Sequence, residues 1–160
     1  MTDPQKPLRA QLLYVLKGGG AHTPFDDAIR DFPPELRGNR VDHFPHTAWM
    51  LLEHLRIAQG DILEFSHNGA HVSPSWPEGY WPEEEAPPTA SAWDNSVKKF
   101  QDELVTMQDL VADPKTDLYA PIPWGDGQTV LREAMLVADH NAYHLGQLVM
   151  LRRMLGAWEG

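Results

Sequence analysis

Four stretches of helical hydrophobic periodicity, separated by loops rich in proline and glycine, most constrain how this chain of 160 residues can fold. In each stretch apolar side chains recur every three or four residues, which is the spacing of one face of an α-helix. The pattern predicts long helices over Lys6 to Lys17, Pro45–Thr47 to about Ser66, Ser91 to about Val111 and Thr129 to about Leu155, with a short helix over Phe25 to Asp31. No segment is typical of a β-strand. One all-α domain over residues 1–160, a four-helix bundle, is therefore the expected architecture.

Residues that favour helix ends support these bounds. Glycines 18–20 follow the first helix, and glycine readily adopts the left-handed conformation that closes a helix. Thr129 is a favourable N-cap for the last helix. Ser91, with Asp94 three residues on, resembles a capping box at the start of the third long helix.

Charge and composition exclude several classes of function. The chain has 23 acidic and 13 basic side chains, a formal net charge of -10, so nucleic acid and anionic membranes are not expected partners. It has no cysteine, which excludes thiolate metal ligands and a thiol nucleophile of its own. There is no long uncharged apolar run, and the polar N-terminus lacks the apolar stretch of a signal peptide. We therefore expect a cytoplasmic protein that acts on a small molecule.

The last predicted helix carries two histidines four residues apart, His140 and His144, in the segment DHNAYHLGQLVMLRR. At 100° per residue their side chains lie about 40° apart and about 6 Å apart along the axis. Val137, Leu148 and Leu151 share their face, so the imidazoles are expected to point into the bundle. Two imidazoles in this arrangement can bind one metal ion. A hydrogen-bonded pair of buried histidines without metal is an equally good interpretation of the spacing alone.

A third ligand would have to come from another helix, and His54 is the candidate. It lies in the second long helix, at the margin of an apolar stripe that includes Leu51 and Leu55. Alone, such a histidine is more often a partly buried residue with satisfied hydrogen bonds. Opposite two core histidines it becomes a candidate ligand, and three imidazoles with one open position are typical of a catalytic metal site. His46, at the start of the same helix, is expected to be solvated, and His71 exposed.

Three polar residues are candidates for catalytic or supporting roles near such a metal. Gln147 lies three residues after His144 and could orient that ring or a bound water. Glu133 shares the histidine face of the last helix and is interpreted as a polar plug or a substrate contact. Asp61 lies two turns beyond His54, with a solvated helix residue as the alternative.

Two loops contain aromatic residues that could form a substrate pocket. Trp76, Tyr80 and Trp81 lie in SWPEGYWPEEEAPP, after the helix of His54, and Trp124 lies in PIPWGDG. Rings held on proline-rich loops could line a pocket at the mouth of the bundle. The alternative, which we favour, is a plug that packs on the helices and caps the core. The acidic run at residues 83–85 would disfavour anionic substrates.

Two segments together resemble the DinB-like (YfiT-like) superfamily of metal-dependent enzymes: LLEHLRIAQGDILEF and DHNAYHLGQLVMLRRMLGAW. The resemblance covers most of the chain and implies a four-helix bundle with long crossover loops. It also implies one ligand histidine on the second long helix and an HxxxH pair on the last, which correspond here to His54, His140 and His144. Relatives often have arginine where this chain has Leu145, which puts any role of that arginine in doubt but not the metal.

The resemblance also implies a function. Members bind nickel or zinc, with iron or manganese as further candidates, often dimerise, and include S-transferases and isomerases that use bacillithiol, mycothiol or glutathione. We therefore predict a homodimeric enzyme of S-transferase type, in which the metal activates a nucleophile. Since the chain lacks cysteine, a low-molecular-weight thiol would have to bind as a cosubstrate. The alternatives are a metal-dependent hydrolase and a non-catalytic metal-binding bundle that acts through a protein partner.

Overall fold

The computed structural model describes residues 3–18 and 20–158, and its regular structure is helical. The helices are α1 (Lys6–Leu16), α2 (Phe25–Ile29), α3 (Ala48–His67), α4 (Ala92–Ala112) and α5 (Val130–Met154), with 3-10 turns at Pro34–Leu36 and Glu78–Tyr80. Within the described ranges two isolated β-bridges occur and no strand. None of these helices is long and apolar enough to cross a membrane. The predicted all-α class is confirmed, and the predicted helix bounds agree to within a few residues.

The four long helices pack around a shared interior. Helix α3 packs against α4 and α5, and α1 packs against the same two helices, while α2 covers part of α5. The buried apolar side chains form two clusters, one that includes Phe32, Leu51 and Leu148 and one that includes Leu63 and Met107. Burial of each such side chain stabilises the fold by about 1.5–3 kcal/mol, so this packing holds α3 and α5 side by side.

Threonine caps begin the two helices that carry the histidines. The Thr47 hydroxyl accepts a hydrogen bond from the Met50 amide, and the Thr129 hydroxyl accepts one from the Arg132 amide, each at 3.2 Å. The predicted Thr129 cap is confirmed. The predicted capping box at Ser91 is wrong: its backbone is already helical (φ -93, ψ -7), and its side chain makes no capping hydrogen bond.

Glycines end α1 as the sequence predicts. Gly18 and Gly20 have φ of 71° and 90°, a conformation that favours glycine. A Cβ added at Gly20 would clash with the hydroxyl oxygen of Tyr14. The middle glycine of the run, Gly19, lies outside the described residues.

The long connection between α3 and α4, residues 68–91, folds back along α3. Asp61 ties it in place: its Oδ1 lies 2.7 Å from His71 Nε2, and its Oδ2 accepts a hydrogen bond of 2.6 Å from the Tyr80 hydroxyl. His71 is therefore half-buried and hydrogen-bonded, in contrast to the expectation of an exposed residue. The connection is thus a fixed wall beside α3.

Candidate metal centre

The three histidines singled out in the sequence meet between α3 and α5. The Nε2 atom of His54 lies 3.0 Å from Nε2 of His144 and 3.0 Å from Nε2 of His140. Each ring offers one nitrogen, and these nitrogens all lie within 4.8 Å of one another. The four-residue spacing on α5 puts two rings on one face, and the packing of α3 against that face brings in the third.

All three rings are removed from bulk water. His54 is 4% exposed and His144 is 8% exposed, while His140 is half-buried. Such burial disfavours the charged form of an imidazole. It lowers the pKa of His54 and of His140 to about 4, and it also lowers the pKa of His144. The rings are therefore neutral near pH 7, and each has one protonated and one unprotonated nitrogen.

The outer nitrogens of two rings determine which inner nitrogen is free. Nδ1 of His54 lies 2.8 Å from the backbone carbonyl oxygen of Tyr80. A carbonyl oxygen can only accept, so the proton of neutral His54 lies on Nδ1 and its Nε2 presents a lone pair. Nδ1 of His144 donates in the same way to Oε1 of Gln147, at 2.8 Å. The Nε2 atoms of His54 and His144 therefore face each other with no proton between them.

Two lone pairs 3.0 Å apart repel, and the repulsion is relieved by a cation near both or in part by a proton on Nε2 of neutral His140, which lies 3.0 Å from Nε2 of His54. An added proton that charges one of the rings is a poor solution because burial holds the pKa of these rings low. A divalent transition metal fits the donor set, since neutral imidazole nitrogen is a favoured ligand of zinc, nickel, copper and iron. The outer hydrogen bonds to Tyr80 and Gln147 are the kind that orient metal-binding histidines.

His140 is the least supported of the three rings. Its Nδ1 is buried and has no hydrogen-bond partner among the described residues. Its Nε2 is the nitrogen that faces His54. The group therefore has two rings oriented by hydrogen bonds at their outer nitrogens and a third, His140, without such a bond.

A cavity of about 650 Å³ opens onto the three imidazoles. It lies between α3, α5 and the connection 68–91. Its remaining wall is mostly aromatic and aliphatic, with two carboxylates: Ala58, Asp61, Ile62, Trp76, Tyr80, Trp81, Leu136, Asp139 and Tyr143. A second cavity, of about 690 Å³, lies between α2 and the residues after α5 and touches none of the three histidines.

Trp81 both lines the cavity and supports a candidate ligand. Its ring stacks on His54 at a centroid distance of 3.9 Å and an interplanar angle of 2°. Its other side stacks on His46, at 4.0 Å and 13°. His46 is therefore half-buried against an indole, whereas the sequence predicted a solvated residue. Trp76 and Tyr80 also lie on this wall, as the pocket interpretation of the loop predicts.

Two residues proposed from the sequence lie away from the cavity wall. Trp124, predicted to line the pocket, instead packs over Gly69 and donates from Nε1 to the Phe65 carbonyl oxygen at 2.7 Å. Glu133, predicted as a polar plug or a substrate contact, is 2% exposed and pairs with Arg132 at 2.6 Å in the first turn of α5. Trp124 packs on a loop and Glu133 is held in the interior, so neither side chain lines the cavity.

The other two polar candidates lie at the site. Gln147 holds His144, and Asp61 lines the cavity with both carboxylate oxygens engaged by the connection 68–91. Sequence reasoning missed Asp139 and Tyr143 on the opposite wall. Helical spacing was the available signal, because Asp139 and Tyr143 are four residues apart and therefore share a face of the helix beside the face of His140 and His144.

Comparisons of the chain with family models, with curated proteins and with solved structures find no match. Within the described ranges His54, His140 and His144 are the one group of three or more histidine or carboxylate side chains close enough to hold a metal ion.

Proposed function

We propose that this protein is a metal-dependent enzyme of S-transferase type that holds a divalent ion, nickel or zinc, on His54, His140 and His144. One observation carries the proposal. The Nε2 atoms of three buried imidazoles converge within 4.8 Å, and the rings of His54 and His144 are oriented so that their Nε2 lone pairs face each other. Three protein ligands beside a cavity leave an open position for a reactant, which is typical of catalytic rather than structural sites.

A divalent ion on three neutral ligands keeps its positive charge and lowers the pKa of a bound thiol or water, which supplies a nucleophile near neutral pH. Since the chain has no cysteine, a thiol has to bind as a cosubstrate. The 650 Å³ cavity beside the histidines has room for such a reactant.

Residues around the histidines orient the imidazole rings and keep water from them. The Tyr80 carbonyl and the Gln147 amide fix the ring planes of His54 and His144. Trp81 covers one face of His54 and keeps water from it. Asp61 holds the connection 68–91 against α3, so we assign it to positioning of the aromatic wall.

The arrangement of α1, α3, α4 and α5 also supports the proposal that the chain is a four-helix bundle of DinB-like topology. In that family one histidine of the second long helix and an HxxxH pair of the last form the metal site, and here these positions meet in space. We propose a homodimer on the same grounds. The sequence resemblance supports the topology and the dimer, and the geometry of the histidines supports the metal.

The first experiment measures the metal content of untagged protein by elemental mass spectrometry, beside a His140→Ala/His144→Ala double variant. We expect close to one nickel or zinc per chain in the wild type and none in the variant. Circular dichroism checks that the variant remains helical. A wild type that binds no metal, even after reconstitution with nickel and zinc, refutes the proposal and makes the histidines structural.

The second experiment distinguishes transferase from hydrolase. Metal-loaded protein is incubated with thiols plus electrophiles in one panel and with esters and amides in another. We expect turnover in the thiol panel, lost in His54→Ala. Turnover confined to the ester and amide panel would replace the transferase with a hydrolase, and no turnover in either panel would favour a non-catalytic metal-binding protein.

A further inference from the structure

The charges and rings of the cavity indicate what kind of molecule it accepts. Apart from histidines and tyrosines, its ionisable wall residues are the carboxylates Asp61 and Asp139, and none of the described residues that line it is a lysine or an arginine. A negatively charged group of a ligand would therefore meet two carboxylates and no side-chain cation. In a chain of net charge -10 the surrounding field adds to this repulsion.

The rest of the wall offers flat apolar surface. Trp76 and Tyr80 meet edge to face at 5.4 Å, and Trp81 continues the same side of the cavity. On the other side the Tyr143 ring meets His144 edge to face at 4.9 Å. Ligand pockets of about 300–1,000 Å³ with such linings bind apolar molecules and use a few polar groups for orientation. A volume of about 650 Å³ admits a body of two or three rings.

The two carboxylates differ in what they can still bind. Both oxygens of Asp61 already accept hydrogen bonds from the connection 68–91, so this carboxylate contributes a fixed charge. Asp139 is exposed on α5, at the cavity. Neither of the two supplies a group that would recognise an anion.

We propose that the cavity selects substrates with an uncharged aromatic or aliphatic body and rejects bodies that carry an anionic group. This inference names the substrate class of the proposed enzyme and rests on that function only for the reaction. The wall acts on the body of the substrate away from the histidines, whereas a bound ion would add positive charge at the histidines themselves. For a thiol cosubstrate it favours a neutral thiol over one with several carboxylates.

Two dyes with the same rings test the proposal on metal-free protein. N-phenyl-1-naphthylamine is uncharged, and 8-anilinonaphthalene-1-sulfonate adds one sulfonate. We expect fluorescence titration to show the uncharged dye bound at least 10-fold more tightly at low salt, with a smaller ratio at high salt because charge repulsion is screened. Equal affinities, tighter binding of the sulfonate or no binding of the uncharged dye would overturn the proposal.

Paired variants place the binding in this cavity. Tyr143→Ala and Trp76→Ala should each weaken the uncharged dye several-fold, whereas Tyr119→Ala, at a tyrosine of similar exposure outside the cavity, should not. Asp139→Asn should bring the affinities of the two dyes closer together. Asp109→Asn, which removes the same charge from α4, should leave the ratio of the two affinities unchanged.

If Tyr143→Ala and Trp76→Ala both leave the affinity for the uncharged dye unchanged, the proposal is also refuted. Trp76 is 76% exposed, so its truncation leaves the core intact and the result interpretable. The metal measurement is separate: a protein that selects the uncharged dye but binds no metal keeps this inference and loses the proposed enzyme. A protein that binds metal but does not select between the dyes keeps the enzyme and loses this inference.

Discussion

Two sets of polar contacts cross from α3 to α5 inside the molecule, and they are built in opposite ways. In one, Asn141 donates from Nδ2 to Gln59 Oε1 at 2.9 Å, and Gln59 donates in turn to the Phe100 carbonyl oxygen at 2.7 Å. Each of these contacts pairs a donor with an acceptor. In the other, His54 and His144 bring two lone pairs to 3.0 Å.

The difference separates a structural contact from a candidate binding site. Buried polar groups in proteins are normally paired. The Gln59–Asn141 contact pairs each donor with an acceptor, although Oδ1 of Asn141 has no partner among the described residues. In the histidine contact the outer nitrogens of His54 and His144 are paired, and the inner nitrogens are close enough to hold a metal ion. The same two helices thus carry one contact built of amide hydrogen bonds and one that could bind a cation.

The largest expected effect comes from removing the histidine that both others face. His54→Ala should abolish stoichiometric metal binding, because two imidazoles on one helix are left without the ligand from α3. Isothermal titration with nickel and zinc measures this. A matched His67→Ala change, at an exposed histidine of the same helix, should have no effect. Unchanged affinity in His54→Ala would mean that the metal lies elsewhere.

Acid should destabilise the metal-free protein through the contact of His54 with His144. The contact of Gln59 with Asn141 has no titratable group and should not contribute. The pKa of His54 is about 4 in the folded protein against an ordinary value of 6.5, so between these values the unfolded chain binds more protons. The contribution of neutral His54 to the free energy of unfolding is therefore fully present above pH 6.5 and is lost as the pH falls toward 4. At about 1.4 kcal/mol per pKa unit, the loss is about 3 kcal/mol.

Urea unfolding at a series of pH values measures that loss. In His54→Gln the free energy of unfolding should fall less steeply between pH 6.5 and pH 4.5, because glutamine does not titrate. Equal slopes in the two proteins would show that His54 is not buried as a neutral ring.

The contact of Gln59 with Asn141 should contribute to the stability of the fold and not to the affinity for metal. Gln59→Ala leaves the Nδ2 group of Asn141 and the Phe100 carbonyl without their partner in the core, which should lower the free energy of unfolding by about 2 kcal/mol. Metal affinity should stay within a few-fold of the wild type. Urea unfolding and metal titration of the same preparation check both statements, and a large loss of metal binding would mean that the two contacts are coupled.

The smallest expected effect is on metal affinity when the hydrogen bond that orients His144 is removed. Gln147→Leu removes the acceptor of His144 Nδ1 and should weaken metal binding by about 10-fold, the lower end of what such supporting groups contribute. Gln108→Leu on α4, also at a half-buried position, serves as the control. No change in Gln147→Leu would mean that packing alone orients the ring.

Much of the fold followed from local patterns. The helix bounds could be predicted because apolar periodicity and end residues such as Thr129 act within a few residues of the chain. The histidine group could be proposed because two members share one helix face and His54 interrupts an apolar stripe. Their meeting then required only that the two stripes pack together.

The features that depend on the path of a long loop could not be predicted. The stacking of Trp81 on His54, and the Tyr80 carbonyl that fixes the same ring, require residues 68–91 to fold back along α3. No local pattern sets that path. The Ser91 capping box was expected from residue types alone, but a backbone that is already helical at Ser91 rules it out. Trp124 was placed in the pocket by composition, whereas close packing on Gly69 decides its position.

The parallel stacking of Trp81 on His54 has a spectroscopic consequence. One of the six indoles of the protein lies 3.9 Å, centroid to centroid, from a candidate ligand ring. An ion with a partly filled d shell, such as nickel, offers the excited indole a route for energy or electron transfer, whereas closed-shell zinc does not. The intrinsic emission of the protein should therefore dim when nickel binds and stay nearly constant with zinc, and the dimming should vanish in Trp81→Phe.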